Sequence, residues 1–366
     1  MNTLVNHWTS ADDVTPADLT AALRDSGVID ASTEVVSLEH EPVGLGVGII
    51  SLLWRLDVTY EPALAGPRTI ILKLPHSVPE VRQAPVALRF YEREVGFYRN
   101  VATTTPIGTP RCYWSSFDPE THDFVLLLED IGALDGCDQL RGCAIDDVRV
   151  AALAIARHHG ACWERDDIVG ATWTGPSNEP PMPQAIDQLL AERIPVYERR
   201  IGAELPTGTV EIARRIHANL DHILARFNRP PFTLLHGDFR ADNLFFSPAP
   251  ERELVAIDWQ ICTVGRAGYD LGYLMAQSVT TEDRRRAESA LVAEYHAALL
   301  AGGATGYDLE DCWNDYRLTI LWSLVYSVGV VTDEGMEPRA LDLARTMATR
   351  SALAIADLDA TEMFER

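Results

Sequence analysis

The segment LLHGDFRADNLFF, residues 234–246, sets a short polar loop between two apolar runs. Asp238 and Asn243 stand five positions apart within it, and Asp258 follows twenty residues after Asp238, at the end of the apolar run in AIDW, residues 256–259. These residue types suit one kind of chemistry. A carboxylate at the start of the loop can reach an acceptor hydroxyl and take its proton as a new bond forms. An amide oxygen on the far side of the loop, with a second carboxylate, suits a hard divalent cation, which takes oxygen ligands and completes its shell with phosphate and water. The D-x-x-x-x-N spacing is that of a loop serving phosphoryl transfer. Residues 247–253, with two prolines, turn the chain so that Asn243 and Asp258 can lie side by side.

The elements that must position these groups change character along the chain. Thr15 followed by Pro16, with Leu19, Ala22 and Leu23 at helical spacing, predicts a capped helix over residues 15–26. A strand follows around Val35–Leu38. Residues 51–60 alternate, with Leu52, Trp54, Leu56, Val58 and Tyr60 on one face. After a turn at Gly66-Pro67 comes a strand over 69–74, then a helix over 87–101 and an apolar strand over 124–128. Beyond about residue 131 the pattern is mostly helical: 147–163, 184–200, 209–227 and nearly everything past Tyr269. Short strands are expected at 233–235, 244–246 and 254–257, and a proline-rich loop at 174–183. The expected fold class is α+β, with a β-rich N-terminal lobe and leading helix over 1–131 and a helical C-terminal lobe over 132–366. A cleft between two such lobes is a common ligand site.

Two features of the N-terminal lobe bear on phosphate. Gly44, Gly46 and Gly48 fail the dinucleotide fingerprint, because Ile49 takes the last glycine position and a strand rather than a helix follows. A glycine loop between two strands is instead the arrangement that covers nucleotide phosphates, and Ser51 just after it can donate to one. Lys73 is the only lysine in the strands of this lobe, and a charge among aliphatic strand residues needs a partner or a ligand. Glu92 and Glu94 on the following helix compete for it, and their spacing forbids both from facing one lysine.

Composition narrows the class further. With 31 basic and 54 acidic residues the formal charge is −23, which disfavours a nucleic-acid binder and mildly favours a cationic substrate. Six dispersed cysteines without a C-x-x-C pair argue against a zinc cage and for free thiols in the cytoplasm. Residues 1–12 lack a signal peptide's apolar segment. The apolar stretch 318–331 is too short to span a bilayer and reads as a buried helix, so no membrane is expected.

The chain resembles the aminoglycoside phosphotransferase and choline kinase superfamily, which shares the protein-kinase-like fold. HGDFRADN resembles its catalytic loop and AIDW its metal-binding motif. GYDLGYL, residues 268–274, resembles in particular the ecdysteroid-kinase-like and "phosphotransferase enzyme" branches. The resemblance covers about residues 40–340. It implies ATP and Mg²⁺ as cofactors, with Lys73 gripping the α- and β-phosphates and Glu94 as its partner, since EVGFY at 94–98 matches the helix motif. It also implies an adenine site along the segment after Phe124–Leu128, near Glu129 and Ile131. His159 reads as a packed helix histidine, and Asp270 as a residue ordering the catalytic loop. Two departures matter. Trp259-Gln260 stands where protein kinases carry Phe-Gly, and Arg240 stands where many aminoglycoside enzymes carry histidine. Arg240 is a candidate for contact with the transferring phosphoryl group.

The expected function is therefore transfer of the ATP γ-phosphoryl group to a hydroxyl of a small molecule. Asp238 and Arg240 form the catalytic pair, Asn243 and Asp258 hold the metal, and Gly44, Gly46, Gly48, Ser51, Lys73, Glu94, Glu129 and Ile131 bind the nucleotide. Two rival readings use the same residues: a nucleotide-binding pseudokinase and a metal-dependent hydrolase. The acceptor stays open among aminoglycosides, choline-like amines, sugars, macrolides and steroid-like alcohols.

Overall fold

The structure, a computed structural model, describes residues 8–43, 50–248, 252–333 and 335–365. The chain divides into two compact units. The first takes the chain up to Thr104, Thr109–Leu134 and Trp259–Ile261; the second takes Thr105–Gly108, Asp135–Asp258 and Cys262 onward.

The first unit holds α1 (Pro16–Asp25), β1 (Glu34–Pro42), β2 (Ser51–Glu61), β3 (Thr69–Pro75), α2 (Pro79–Ala87), α3 (Phe90–Asn100), β4 (Cys112–Phe117) and β5 (Phe124–Glu129). The Thr15 hydroxyl caps α1 by accepting from the Asp18 N–H, as a helix start requires. The five strands form one antiparallel sheet in the order β1-β2-β3-β5-β4. Alternation assigns its two faces. Leu56, Val58, Tyr60, Ile70, Leu72 and Leu74 are buried in one core with Leu19 and Leu23 of α1. Lys73 projects from the opposite face.

Two local features differ from the expected elements. The helix expected over 87–101 is present as α3, and a further helix, α2, precedes it; Arg89, in a left-handed conformation with φ 61°, separates the two. Strand β4 was not expected: its sequence, CYWSSF, lacks apolar alternation, and it sits at the sheet edge with only Trp114 buried.

The second unit contains β6 (Asp135–Gly136), α4 (Ile145–Ala161), α5 (Asp166–Val169), α6 (Met182–Ile201), α7 (Thr209–Ala218), α8 (Leu220–Phe227), β7 (Thr233–Leu235), β8 (Leu244–Phe246), β9 (Leu254–Ala256), β10 (Thr263–Gly265), α9 (Gly268–Ser278), α10 (Thr281–Ala301), α11 (Leu309–Trp322), α12 (Leu324–Val330) and α13 (Pro338–Asp357). Strand β7 pairs with β10, and β8 lies between β6 and β9. The helix expected over 209–227 is split at Asn219, whose Nδ2 donates to the Arg215 carbonyl. The apolar stretch 318–331 is split at Ser323, whose hydroxyl donates to the Ile320 carbonyl. At Ser323 the side chain takes a carbonyl that a continuous helix would use, whereas at Asn219 the Arg215 carbonyl accepts from both the side chain and the backbone N–H. Among the described residues no helix is long and apolar enough to cross a membrane, and all six cysteines are free.

The strand entering the polar loop is pinned from α4. His158, fully buried, donates through Nε2 to the Leu234 carbonyl at 3.0 Å and accepts through Nδ1 from the Thr105 hydroxyl at 2.6 Å. Burial, reinforced by the neighbouring His159, lowers the ring's pKa from the ordinary 6.5 to about 3, so the ring is neutral and Nδ1 is left to accept. The unfolded chain therefore takes up a proton below about pH 6.5 that the folded state refuses, so stability falls as pH falls. Denaturation midpoints measured at pH 7, 6 and 5 should show a slope that His158→Gln reduces, by up to one proton or about 1.4 kcal/mol per pH unit. Equal slopes in the two proteins would exclude this contribution.

Candidate active site

The polar loop joins β7 to β8, and Asp258 lies between β9 and β10. Register brings them together. Leu244 pairs with Ala256 across β8 and β9, and the Ile257 N–H donates to the Asn243 carbonyl at 3.0 Å. The His236 ring closes the loop from the other end, donating through Nε2 to the Ile257 carbonyl at 2.9 Å. Gly237 has φ +85°, a conformation that favours glycine and explains the HGD sequence. Asp258 itself has φ 66°. For a residue other than glycine this costs about 1–3 kcal/mol, a kind of strain that clusters at functional sites.

Asp270, in the first turn of α9, organises the loop. Its Oδ2 accepts from the His236 N–H at 2.7 Å and lies 3.0 Å from His159 Nε2, and its Oδ1 accepts from the Gly237 N–H at 2.9 Å. The side chains of Asp270 and His159 are wholly buried. Burial opposes ionisation of Asp270, but the His159 bond and the charges and N–H groups around it prevail and lower its pKa. His159 is thus a packed structural histidine, its Nδ1 2.6 Å from the Tyr295 hydroxyl. Ser278, at the end of α9, accepts from the Ala241 N–H at 2.8 Å.

Asp238 is partly buried and ringed by donors. Tyr273 donates to Oδ1 at 2.7 Å and Asn243 Nδ2 to Oδ2 at 2.9 Å, while Arg240 Nε lies 3.2 and 3.3 Å from the two oxygens. Burial works against the charge, but Arg240, the Tyr273 bond, His236 and Asn243 outweigh it and hold the carboxyl below its usual range. Arg240 is anchored through Nη1 to Gln139 Oε1 at 2.7 Å and Asp242 Oδ2 at 2.6 Å. Burial opposes its charge, yet Asp238, Tyr273 and Asp242 raise its pKa further, keeping it cationic. Its Nη2 makes no hydrogen bond to the described residues.

Asn243 donates through Nδ2 to both the carbonyl and the carboxylate of Asp238. This fixes the amide orientation and makes Oδ1 the atom for a cation. One amide oxygen and one carboxylate fit magnesium, which needs few protein ligands. Among the described residues no group of three or more His, Cys, Asp and Glu could hold a metal without phosphate.

In the first unit, Lys73 Nζ lies 2.8 Å from both Glu94 oxygens, and both side chains are buried. Glu92 instead accepts from Arg89 Nε at 2.8 Å, so Glu94 is the carboxylate that faces the lysine. Ser51 opens β2 with its hydroxyl buried and without a hydrogen-bond partner among the described residues. Glu129 ends β5, its carboxylate accepting from the Arg111 N–H at 3.0 Å, and the Ile131 carbonyl accepts from the Leu134 N–H at 2.9 Å. Gly44, Gly46 and Gly48 lie outside the described residues. Tyr316 and Trp322 are buried in the core.

Reading by motif missed four parts of this arrangement: Tyr273, Gln139, Ser278 and Arg350. Arg350 of α13 donates to the carbonyls of Gln139, Leu140 and Gln277, bracing the segment that carries Gln139. It also missed a compositional signal. Lys73 is the only lysine in all 366 residues, the other 30 of the 31 basic residues being arginine. Lysine offers a compact point charge where arginine offers a planar fork, and this chain uses it once.

Comparison with known proteins places this geometry. Three solved structures share the fold. A Ralstonia eutropha protein provisionally assigned as an aminoglycoside phosphotransferase is 17% identical, with TM-score 0.53 over 92% of this chain and 97% of that one. A choline kinase from Cryptosporidium parvum is 11% identical, with TM-score 0.53 over 89% and 91%. An ethanolamine kinase from Plasmodium vivax is 12% identical, with TM-score 0.50 over 86% and 82%. Curated sequences match over one short stretch: 48% identity across 40 residues of acyl-CoA dehydrogenase family member 11 from Gallus gallus, 11% of this chain and 5% of that protein. A similar match to family member 10 from Mus musculus is 46% identical over 41 residues and covers 4% of it; the chain thus spans about a twentieth of these relatives. Residues 46–302, which hold Lys73, Glu94, the polar loop and Asp258, match a single family profile over more than two thirds of the chain, and on that match the protein belongs to the ecdysteroid kinase-like family.

Proposed function

We propose that this protein transfers the γ-phosphoryl group of ATP to a hydroxyl of a small molecule, with magnesium as the required cation. The observation that carries the reading is the setting of Asp238: an ionised carboxylate, fixed by neighbours, in a loop that also carries the Asn243 amide oxygen and that the pairing of β8 with β9 brings next to Asp258. Family membership and the names of kinases sharing the fold support it. Asn243 and Asp258 would hold the magnesium, which would supply neutralisation of the phosphate charge. Asp238 orients the acceptor hydroxyl and takes its proton. Arg240, with Nη2 uncommitted, meets the charge that builds on the transferring group. Lys73, held by Glu94, takes the α- and β-phosphates, and Ser51 and the glycines at 44, 46 and 48 are assigned to the same nucleotide. Backbone groups near Glu129 and Ile131 receive the base. This reading puts the protein in the cytoplasm, where ATP is available and its free thiols stay reduced.

Isothermal titration with ATP tests the reading. ATP should bind in the presence of Mg²⁺ and far more weakly with EDTA. Binding that ignores magnesium, or no binding at all, would remove the basis for a kinase.

A further inference from the structure

The four close approaches to Asp238 are unequal. Tyr273 at 2.7 Å and Asn243 at 2.9 Å each hold one carboxylate oxygen, whereas the single Arg240 Nε–H is shared between both at 3.2 and 3.3 Å. A shared, longer bond sets the rotation of the carboxylate least sharply, although the Arg240 charge is its largest electrostatic support. Asn243 also has a second duty, since its Oδ1 is the candidate cation ligand. Tyr273 has no other described bond.

Tyr273 is built for that one contact. It lies one helical turn after Asp270 on α9, so a single face of this helix holds the loop backbone through one residue and the Asp238 carboxylate through the other. It is buried, 2% exposed. Its ring stacks on Tyr326 at 4.0 Å and 10°, and the Tyr326 hydroxyl is in turn bonded to that of Tyr269. Burial and the adjacent Asp238 charge push the Tyr273 phenol far above its ordinary range, so it stays a donor. The terminal torsion of an aspartate is broad and two-fold. With Tyr273 on one oxygen and Asn243 on the other, that torsion has one setting.

We propose that Tyr273 is a positioning residue for phosphoryl transfer, its hydroxyl fixing the rotation of the Asp238 carboxylate against which the acceptor hydroxyl is aligned. This rests on Asp238 being the acceptor-orienting carboxylate. Tyr273→Phe keeps the stacked ring and removes only the donor.

In Tyr273→Phe the kcat for magnesium-dependent ATP turnover, read with water as the acceptor, should fall about tenfold, as for loss of one well-placed hydrogen bond to a charged group. The KM for ATP should stay within about twofold, since uniform binding is untouched. Tyr326→Phe removes a hydroxyl from the same stack without touching Asp238, and it should match the wild type. A crystal structure of Tyr273→Phe should show the Asp238 carboxylate rotated or in two orientations. An unmoved carboxylate, an unchanged kcat, or a kcat loss matched by Tyr326→Phe would each overturn the assignment. If the wild type turns over no ATP, the functional reading fails, and the crystal structure still decides whether Tyr273 fixes the carboxylate. Should Tyr273→Phe not fold, the wild type answers by proton NMR: a slowly exchanging, low-field Tyr273 hydroxyl should be present and should vanish in Asp238→Ala. Its absence in the wild type, or its persistence in that variant, would overturn the assignment as well.

Discussion

Asp238→Asn should lower phosphoryl transfer by about 10²–10⁴-fold, the usual worth of a positioned general base, while MgATP still binds. The substitution is nearly isosteric, and its surroundings accept an amide. The Asn oxygen can face Asn243 Nδ2 and Arg240 Nε, and the amide N–H can face Tyr273, whose hydroxyl oxygen accepts as readily as its proton donates. The loop should therefore hold its shape, because Asp270, His236 and Ser278 secure it through main-chain atoms. What is lost is the anion that takes the acceptor proton. Single-turnover transfer and calorimetric ATP titration on the same preparation separate the two effects. Undiminished transfer would show that Asp238 is not the base, and lost ATP binding would show that its role is nucleotide affinity.

The second large effect is on Lys73. Lys73→Met should cost about 3–5 kcal/mol of stability, because it removes the ammonium facing a buried carboxylate. It should also abolish measurable ATP binding. The double substitution Lys73→Met with Glu94→Leu should regain most of the stability, since a well-packed apolar pair often replaces a buried ion pair at no loss, and it should regain no ATP binding. Urea midpoints for the two single variants and the double variant form a cycle that isolates the pair. If the double variant is no more stable than Lys73→Met alone, the ion pair is not the source of the loss.

The parts legible in the sequence were those whose signal is local. Alternation over 51–60 placed β2, and the HGDFRADN and AIDW motifs placed the loop and Asp258 between strands that now pair Leu244 with Ala256. Spacing on one helix kept Glu92 and Glu94 from both facing Lys73, and the EVGFY resemblance chose Glu94, which the structure puts against the lysine. What stayed hidden depends on partners far away in the chain. Tyr273 meets Asp238 across 35 positions, Gln139 meets Arg240 across 101, and Arg350 meets the Gln139 carbonyl across 211. No periodicity or motif encodes such pairings. The broken helices at Asn219 and Ser323 went unread for another reason: each break falls at one residue whose side chain bonds back to a main-chain carbonyl, inside a segment whose apolar pattern runs on.

The solitary lysine has a practical consequence. Its Nζ is the only side-chain primary amine in these 366 residues, and it lies buried against Glu94. Amine-directed acylation of the chain interior thus addresses one atom, without mutagenesis and without competing surface lysines. A lysine-specific endoproteinase has one interior cleavage point, after residue 73, so acylation can be scored on an intact-mass spectrum or as a band that resists cutting. Under the proposed function, protection of that one amine by MgATP gives a direct gauge of nucleotide occupancy that needs no acceptor.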